Sequence, residues 1–249
     1  MKRVKKGMIF LVALASLTGC GKKLDGNLLN NRKYLASLEE KDPAKIEKKI
    51  DGLIKKREDK KLENIMADEN REAFELAKAP LIFENTVFMG DSMVEFIREA
   101  KMVKESSVLA EKGETVFMAL DKLDQVYQLA PKNIVIFYGM NDSLAYSADD
   151  YEVYYDKLIK ELKKNLPEAK ILIQEPLDVL EEKAYNKDLK NTTLADFRKR
   201  AQKVAQANQV DYMELMKIID YKNLYEPDGV HMVYNFYPVW LEILAHKIK

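Results

Sequence analysis

The sequence predicts an α/β fold built on a parallel sheet, and three observations support this. Short runs rich in β-branched and aromatic residues alternate with helical patterns from about residue 80 onward. One run, Ile134-Val135-Ile136-Phe137-Tyr138, lacks polar alternation, as a central strand covered on both faces should. Segments rich in glycine and polar residues follow the runs, where loops at the carboxyl ends of parallel strands would lie. Strands and helices in this alternation form βαβ units, so a doubly wound sheet of about five strands is expected.

The β-rich runs are Thr86–Met89, Ser107–Ala110, Asn133–Tyr138, Lys170–Gln174 and Val210–Glu214. Helical spacing of apolar residues marks Met93–Ala100, Val116–Leu129, Tyr151–Asn165, Thr193–Asn208 and Phe236–Ile248. These elements assign residues 80–249 to the main domain. Before it, residues 31–79 are rich in Lys, Glu, Asp and Leu/Ile and predict two helices, about 31–41 and 43–78. Asp42 as cap and Pro43 in the first turn mark the second start. This segment is read as an amphipathic helical appendage, with a stalk or a protein-binding hairpin as the alternative.

The N-terminus reads as a targeting segment. Residues 1–6 carry four basic side chains, and an apolar stretch follows from Met8 to Leu17. That stretch is too short to span a bilayer, which takes roughly 20 apolar residues. A basic start, a short apolar core and small residues after it make a signal peptide over 1–19. Leu17-Thr18-Gly19-Cys20 resembles the lipobox of bacterial lipoproteins, which implies lipidation at Cys20 and an extracytoplasmic, membrane-anchored protein. Residues 20–30 then form a tether with Gly21, Gly26 and several Asn. Cys20 is the only cysteine, so an intrachain disulfide and a cysteine-based zinc site are both excluded. Lys+Arg and Asp+Glu each number 41, and this balance argues against a nucleic-acid partner.

Chemistry concentrates at the predicted strand ends. Ser92 sits between a strand and a helix, where backbone N–H groups can stabilise an oxyanion. A serine hydroxyl needs a base within hydrogen-bond reach. Of the two histidines, His246 reads as a surface residue of the last helix, whereas His231 lies in the turn-forming segment Pro227-Asp228-Gly229-Val230-His231. Asp228 is close enough in such a turn to orient its imidazole. Asp91 and Asp142 read as loop-tying carboxylates. Glu175 either faces the cleft or is a solvated loop carboxylate. Tyr138, Tyr146 and Tyr234 are core residues or line a sugar-binding cleft.

Three of these segments, in order and spanning about 85–235, resemble the blocks of SGNH/GDSL hydrolases. They are Val87-Phe88-Met89-Gly90-Asp91-Ser92, Gly139-Met140-Asn141-Asp142 and Asp228-Gly229-Val230-His231. The resemblance implies a three-layer α/β/α, flavodoxin-like fold preceded here by the helical segment. It also implies Ser92 as nucleophile, His231 as base and Asp228 as its orienter. Oxyanion donors would be the Ser92 N–H, the Asn141 amide and the N–H of Gly113, which sits where the family's glycine block falls. The family often continues with small or polar residues after the serine, whereas this chain has Met93 and Phe96. The implied activity is a serine esterase that needs no metal or organic cofactor, acting on acyl, including acetyl, esters of envelope carbohydrate or small molecules. An O-acyltransferase of cell-wall sugars and a non-catalytic envelope binding module are the alternatives.

Overall fold

Five short runs of high β propensity form one parallel sheet in the computed structural model, which describes Lys60 and residues 74–248. They are β1 (Thr86–Gly90), β2 (Val108–Ala110), β3 (Asn133–Phe137), β4 (Lys170–Gln174) and β5 (Asp211–Met213). The helices are α1 (Ala79–Ile82), α2 (Ser92–Glu99), α3 (Val116–Ala119), α4 (Leu123–Leu129), α5 (Asp142–Ala145), α6 (Ala148–Asn165), α7 (Asn191–Asn208) and α8 (Phe236–Lys247). The strand order is β2-β1-β3-β4-β5, and every neighbouring pair is parallel.

Successive strand side chains point to opposite faces, so each strand feeds two apolar layers. Phe88, Val135, Phe137 and Leu172 pack with Val94 and Ile97 of α2 and with Trp240 and Leu244 of α8. Val87, Met89, Ile134 and Ile136 pack on the other face with Tyr155 and Leu158 of α6 and Phe197 of α7. The lack of polar alternation in β3 is thereby explained, since Ile134, Val135 and Ile136 are all buried. Burying each such side chain stabilises the fold by about 1.5–3 kcal/mol. Residues 74–248 form the three-layer α/β/α sandwich that the family resemblance implies.

The chain leaves β1, builds β2 on one side of it, and then returns to build β3 on the other. This reversal opens a crevice at the carboxyl ends of β1 and β3, the usual ligand position in doubly wound sheets. Ser92 follows β1, and Asn141 follows β3.

Most element ends fall within three residues of the sequence expectation, and two expected helices differ by more. Val116–Leu129 is interrupted by a 3₁₀ turn at Leu120–Lys122, where Lys122 pairs with Glu114 Oε2 at 2.6 Å and Glu111 Oε1 at 3.3 Å. Leu76–Lys78 is a 3₁₀ turn and not the end of a long α-helix. Pro80 just beyond lacks the N–H that would continue an α-helical ladder. The signal segment, Cys20, the tether, the 31–41 helix and nearly all of the 43–78 helix lie outside the described residues. Among the described residues, no helix is long and apolar enough to cross a membrane.

Candidate active site

Ser92 is placed by the tight passage from β1 into α2. Asp91 caps the helix, its Oδ1 accepting the Met93 N–H at 3.0 Å. Gly90 makes the passage sterically feasible. A Cβ there would lie 2.2 Å from Val94 Cγ2 and 2.9 Å from the Phe137 carbonyl oxygen. Ser92 is the first residue of α2, so its N–H has no carbonyl partner within the helix.

The loop between β5 and α8 supplies the rest. Asp228 Oδ1 accepts the backbone N–H groups of Val230 and His231, both at 2.9 Å. This Asx turn folds the imidazole back onto its own aspartate, and Asp228 Oδ2 lies 2.7 Å from His231 Nδ1. Gly229 holds φ +69°, a left-handed conformation that favours glycine, and a Cβ there would press to 2.8 Å on the Leu180 carbonyl oxygen. The Leu180 N–H donates to the Gly229 carbonyl at 2.8 Å, so the segment after β4 braces this turn.

Across 139 residues of sequence, Ser92 Oγ meets His231 Nε2 at 3.1 Å. With Nδ1–H donated to Asp228, Nε2 has its lone pair free to accept the Ser92 hydroxyl. Burial would raise the Asp228 carboxyl, but the bonds from His231 and the two backbone N–H groups win and hold it below the usual range. A carboxylate, an imidazole and a hydroxyl therefore lie in line, in the order that proton transfer away from serine requires.

Asn141 stands beside them. Its Nδ2 donates to Asp91 Oδ2 at 2.9 Å and to the Glu114 carbonyl at 3.2 Å. The amide thus links the loops after β1, β2 and β3. Both of its hydrogens are engaged, so an incoming oxyanion would compete with the longer bond. Gly113 precedes Glu114 in the loop after β2 and holds φ +81°, while a Cβ there would meet nothing within 4 Å. Backbone conformation, not space, selects glycine there.

Asp91 and Asp142 tie loops, as the sequence suggests, each accepting a backbone N–H, but sequence reasoning missed Glu114 and the burial of all three acids. Burial pushes the Asp91 carboxyl up to about 6, against the hydrogen bond from the Met93 N–H. Burial likewise lifts Asp142 to about 7, although its Oδ1 accepts the Val116 N–H at 2.8 Å. Glu114 is also raised by burial, while Lys122 and the Tyr138 hydroxyl, a 2.8 Å donor to Oε1, oppose the shift. Glu175 is neither cleft-facing nor solvated, which corrects both readings of it. It is 5% exposed, accepts the Met216 N–H at 2.7 Å and is raised by burial to about 7. Only the long-range fold could reveal the partners of Asp142, Glu114 and Glu175.

The bulky residues after the nucleophile do not intrude on it. Met93 is buried in the layer with α8, and Phe96 stacks on Tyr237 with centroids 4.2 Å apart. Tyr138 is core, Tyr146 packs with Phe117 and Tyr154, and Tyr234 is half exposed beside Phe96. His246 is exposed. A cavity of about 500 Å³ is lined by Asp178, Glu181, Tyr221 and Tyr225 among others; Ser92, Asp228 and His231 do not line it.

The model of the GDSL-like lipase/acylhydrolase family matches residues 89–234, more than half of the chain. The chain belongs to this family. As a member it is a serine hydrolase acting on ester bonds. No curated protein matches the sequence significantly. Solved structures share the family fold at low identity. A GDSL-like lipase from Bacteroides thetaiotaomicron is 19% identical with a TM-score of 0.55, covering 71% of this chain and 91% of that one. A lipase/acylhydrolase from Enterococcus faecalis is 19% identical with a TM-score of 0.53, covering 66% and 95%. An acetyl xylan esterase is 19% identical with a TM-score of 0.50, covering 66% and 100%.

Proposed function

We propose that this family member hydrolyses acyl esters, acetyl among them, of extracytoplasmic carbohydrate or small-molecule substrates through an acyl-Ser92 intermediate. The observation that carries the reading is the 3.1 Å approach of Ser92 Oγ to His231 Nε2, with Asp228 2.7 Å behind the ring. Ser92 Oγ attacks the ester carbonyl carbon as its proton passes to Nε2. The oxyanion is received by the Ser92 N–H, the Gly113 N–H and Asn141 Nδ2. The carbon–oxygen bond to the alcohol then breaks, and the departing oxygen takes the proton from Nε2. Water, deprotonated by the same imidazole, attacks the acyl-serine and releases the carboxylic acid. A sugar hydroxyl in place of that water would make the reaction a transfer.

The test is hydrolysis of p-nitrophenyl acetate and longer-chain esters by the wild-type protein and Ser92→Ala. Turnover lost in the variant supports the mechanism, and undiminished turnover overturns it. The extracytoplasmic part of the proposal is supported by the pattern Leu17-Thr18-Gly19-Cys20 after a basic, apolar start. Incorporation of labelled palmitate by the wild type, and not by Cys20→Ser, is the expected result; equal labelling removes the anchor.

A further inference from the structure

The Tyr185 ring lies parallel to the His231 imidazole, with an interplanar angle of 8° and 6.4 Å between centroids. At that separation the two rings are offset, and Tyr185 is 63% exposed. An aromatic face is therefore presented to solvent directly beside the imidazole. It does not belong to a core, because its neighbour Ala184 is buried while Tyr185 itself points out.

The placement is built. Val179, Ala184 and Leu189 pack with Val230 of the His231 turn, with Leu194 of α7 and with Met140 beside Asn141. Asn191 clamps the start of the loop, its Oδ1 accepting the Val179 N–H at 2.8 Å and its Nδ2 donating to the Val179 carbonyl at 2.9 Å. A turn at Leu180, whose carbonyl accepts from Lys183 and Ala184, abuts Gly229, the residue that cannot carry a Cβ there. The same packing and hydrogen bonds that hold His231 in register therefore hold Tyr185 next to it.

Chemistry identifies what lies over that face. The leaving oxygen must come within hydrogen-bond reach of His231 Nε2 to receive its proton, so the alcohol half of the ester lies on the imidazole side. Tyr185 is the one large exposed apolar side chain of the 179–190 loop. Around it the loop exposes Glu182, Lys183, Lys187 and Asp188. A long alkyl alcohol needs a continuous apolar groove. A single aromatic face rimmed by hydrogen-bonding groups suits a ring with one apolar face and a hydroxylated edge.

We infer that Tyr185 is a specificity-determining residue that stacks the pyranose ring of a sugar ester whose alcohol leaves from His231. This rests on the acyl-serine reading of Ser92 and His231 and names its alcohol. The test holds the acetyl group fixed and varies the alcohol: a methyl O-acetylglucopyranoside, ethyl acetate and octyl acetate, with wild-type, Tyr185→Ala and Tyr185→Trp full-length protein. A stacked aromatic face accounts for about fivefold in affinity. The wild type is expected to prefer the sugar acetate, and Tyr185→Ala to lower the ratio of sugar to ethyl kcat/KM by about fivefold, chiefly through KM. Tyr185→Trp is expected to restore it. A ratio unchanged in Tyr185→Ala, or a preference for octyl acetate that Tyr185→Ala abolishes, overturns the inference.

A binding measurement separates this from the hydrolase proposal. Methyl glucopyranoside mixed with Ser92→Ala is expected to give a saturation-transfer NMR signal that disappears in Ser92→Ala/Tyr185→Ala. A signal that persists in the double variant overturns the inference even where esters are hydrolysed. Disappearance of the signal on removing the Tyr185 ring supports it even where none of the three acetates is turned over.

Discussion

Replacing Asp228 by Asn isolates the role of the carboxylate from its role in the fold. Asp228 Oδ1 accepts two backbone N–H groups at 2.9 Å, and Oδ2 faces His231 Nδ1 at 2.7 Å. In Asp228→Asn the two N–H donors select the amide oxygen for the Oδ1 position, so the turn survives. The amide nitrogen must then face Nδ1. Two N–H donors cannot point at each other, so Nδ1 gives up its hydrogen and Nε2 carries it instead. That tautomer cannot take the Ser92 proton. The expected loss is about 10⁴-fold in kcat, or about 5.5 kcal/mol of transition-state stabilisation. The melting temperature should stay within about 4 °C of wild type, because the turn's hydrogen bonds are kept. Steady-state hydrolysis of p-nitrophenyl acetate, alongside calorimetry, reads both quantities. A loss below about tenfold in a normally folded variant refutes the reasoning.

Asn141→Ala is expected to lower kcat by about 10²–10³ while Ser92 still labels with a fluorophosphonate; unchanged kcat in the same ester assay contradicts a donor role. Gly90→Ala should destabilise by about 1–3 kcal/mol, because a Cβ meets Val94 Cγ2 at 2.2 Å and the Phe137 carbonyl at 2.9 Å. A melting temperature equal to wild type would remove that steric claim. Asp142→Asn tests the buried acid. The Asp142 carboxyl is raised from 3.8 to about 7, so it favours folding fully at low pH and loses that contribution as pH rises towards 7. Asparagine cannot titrate, so the variant's melting temperature relative to wild type should climb between pH 4.5 and pH 8. A constant difference across that range contradicts the burial of an ionisable group.

The fold was legible because parallel strands buried on both faces leave an unbroken apolar run, as Ile134–Phe137 does. Ser92, Asn141, Asp228 and His231 were legible because each lies in a short block whose neighbours have local jobs. Asp91 caps α2, Gly229 makes the left-handed turn, and Asp228 bonds the N–H groups two and three residues on. What stayed hidden depends on partners distant in sequence. Glu175 is an ordinary strand-end carboxylate until Met216 N reaches it, 41 residues later. Glu114 gains its meaning from Tyr138, Lys122 and Asn141, which belong to three different segments. Tyr185 sits in a loop without periodicity, and only its packing beside His231 marks it out. The break at Leu120–Lys122 has the same origin, since no local residue there forbids α-helix and the ion pairs of Lys122 are tertiary.

Peptide mapping by mass spectrometry after reaction with a fluorophosphonate tests the covalent step most directly. A single adduct is expected on the peptide containing Ser92, forming far more slowly in His231→Ala. An ester-hydrolysing wild type that carries no label at Ser92, or that is labelled on another serine, contradicts the account.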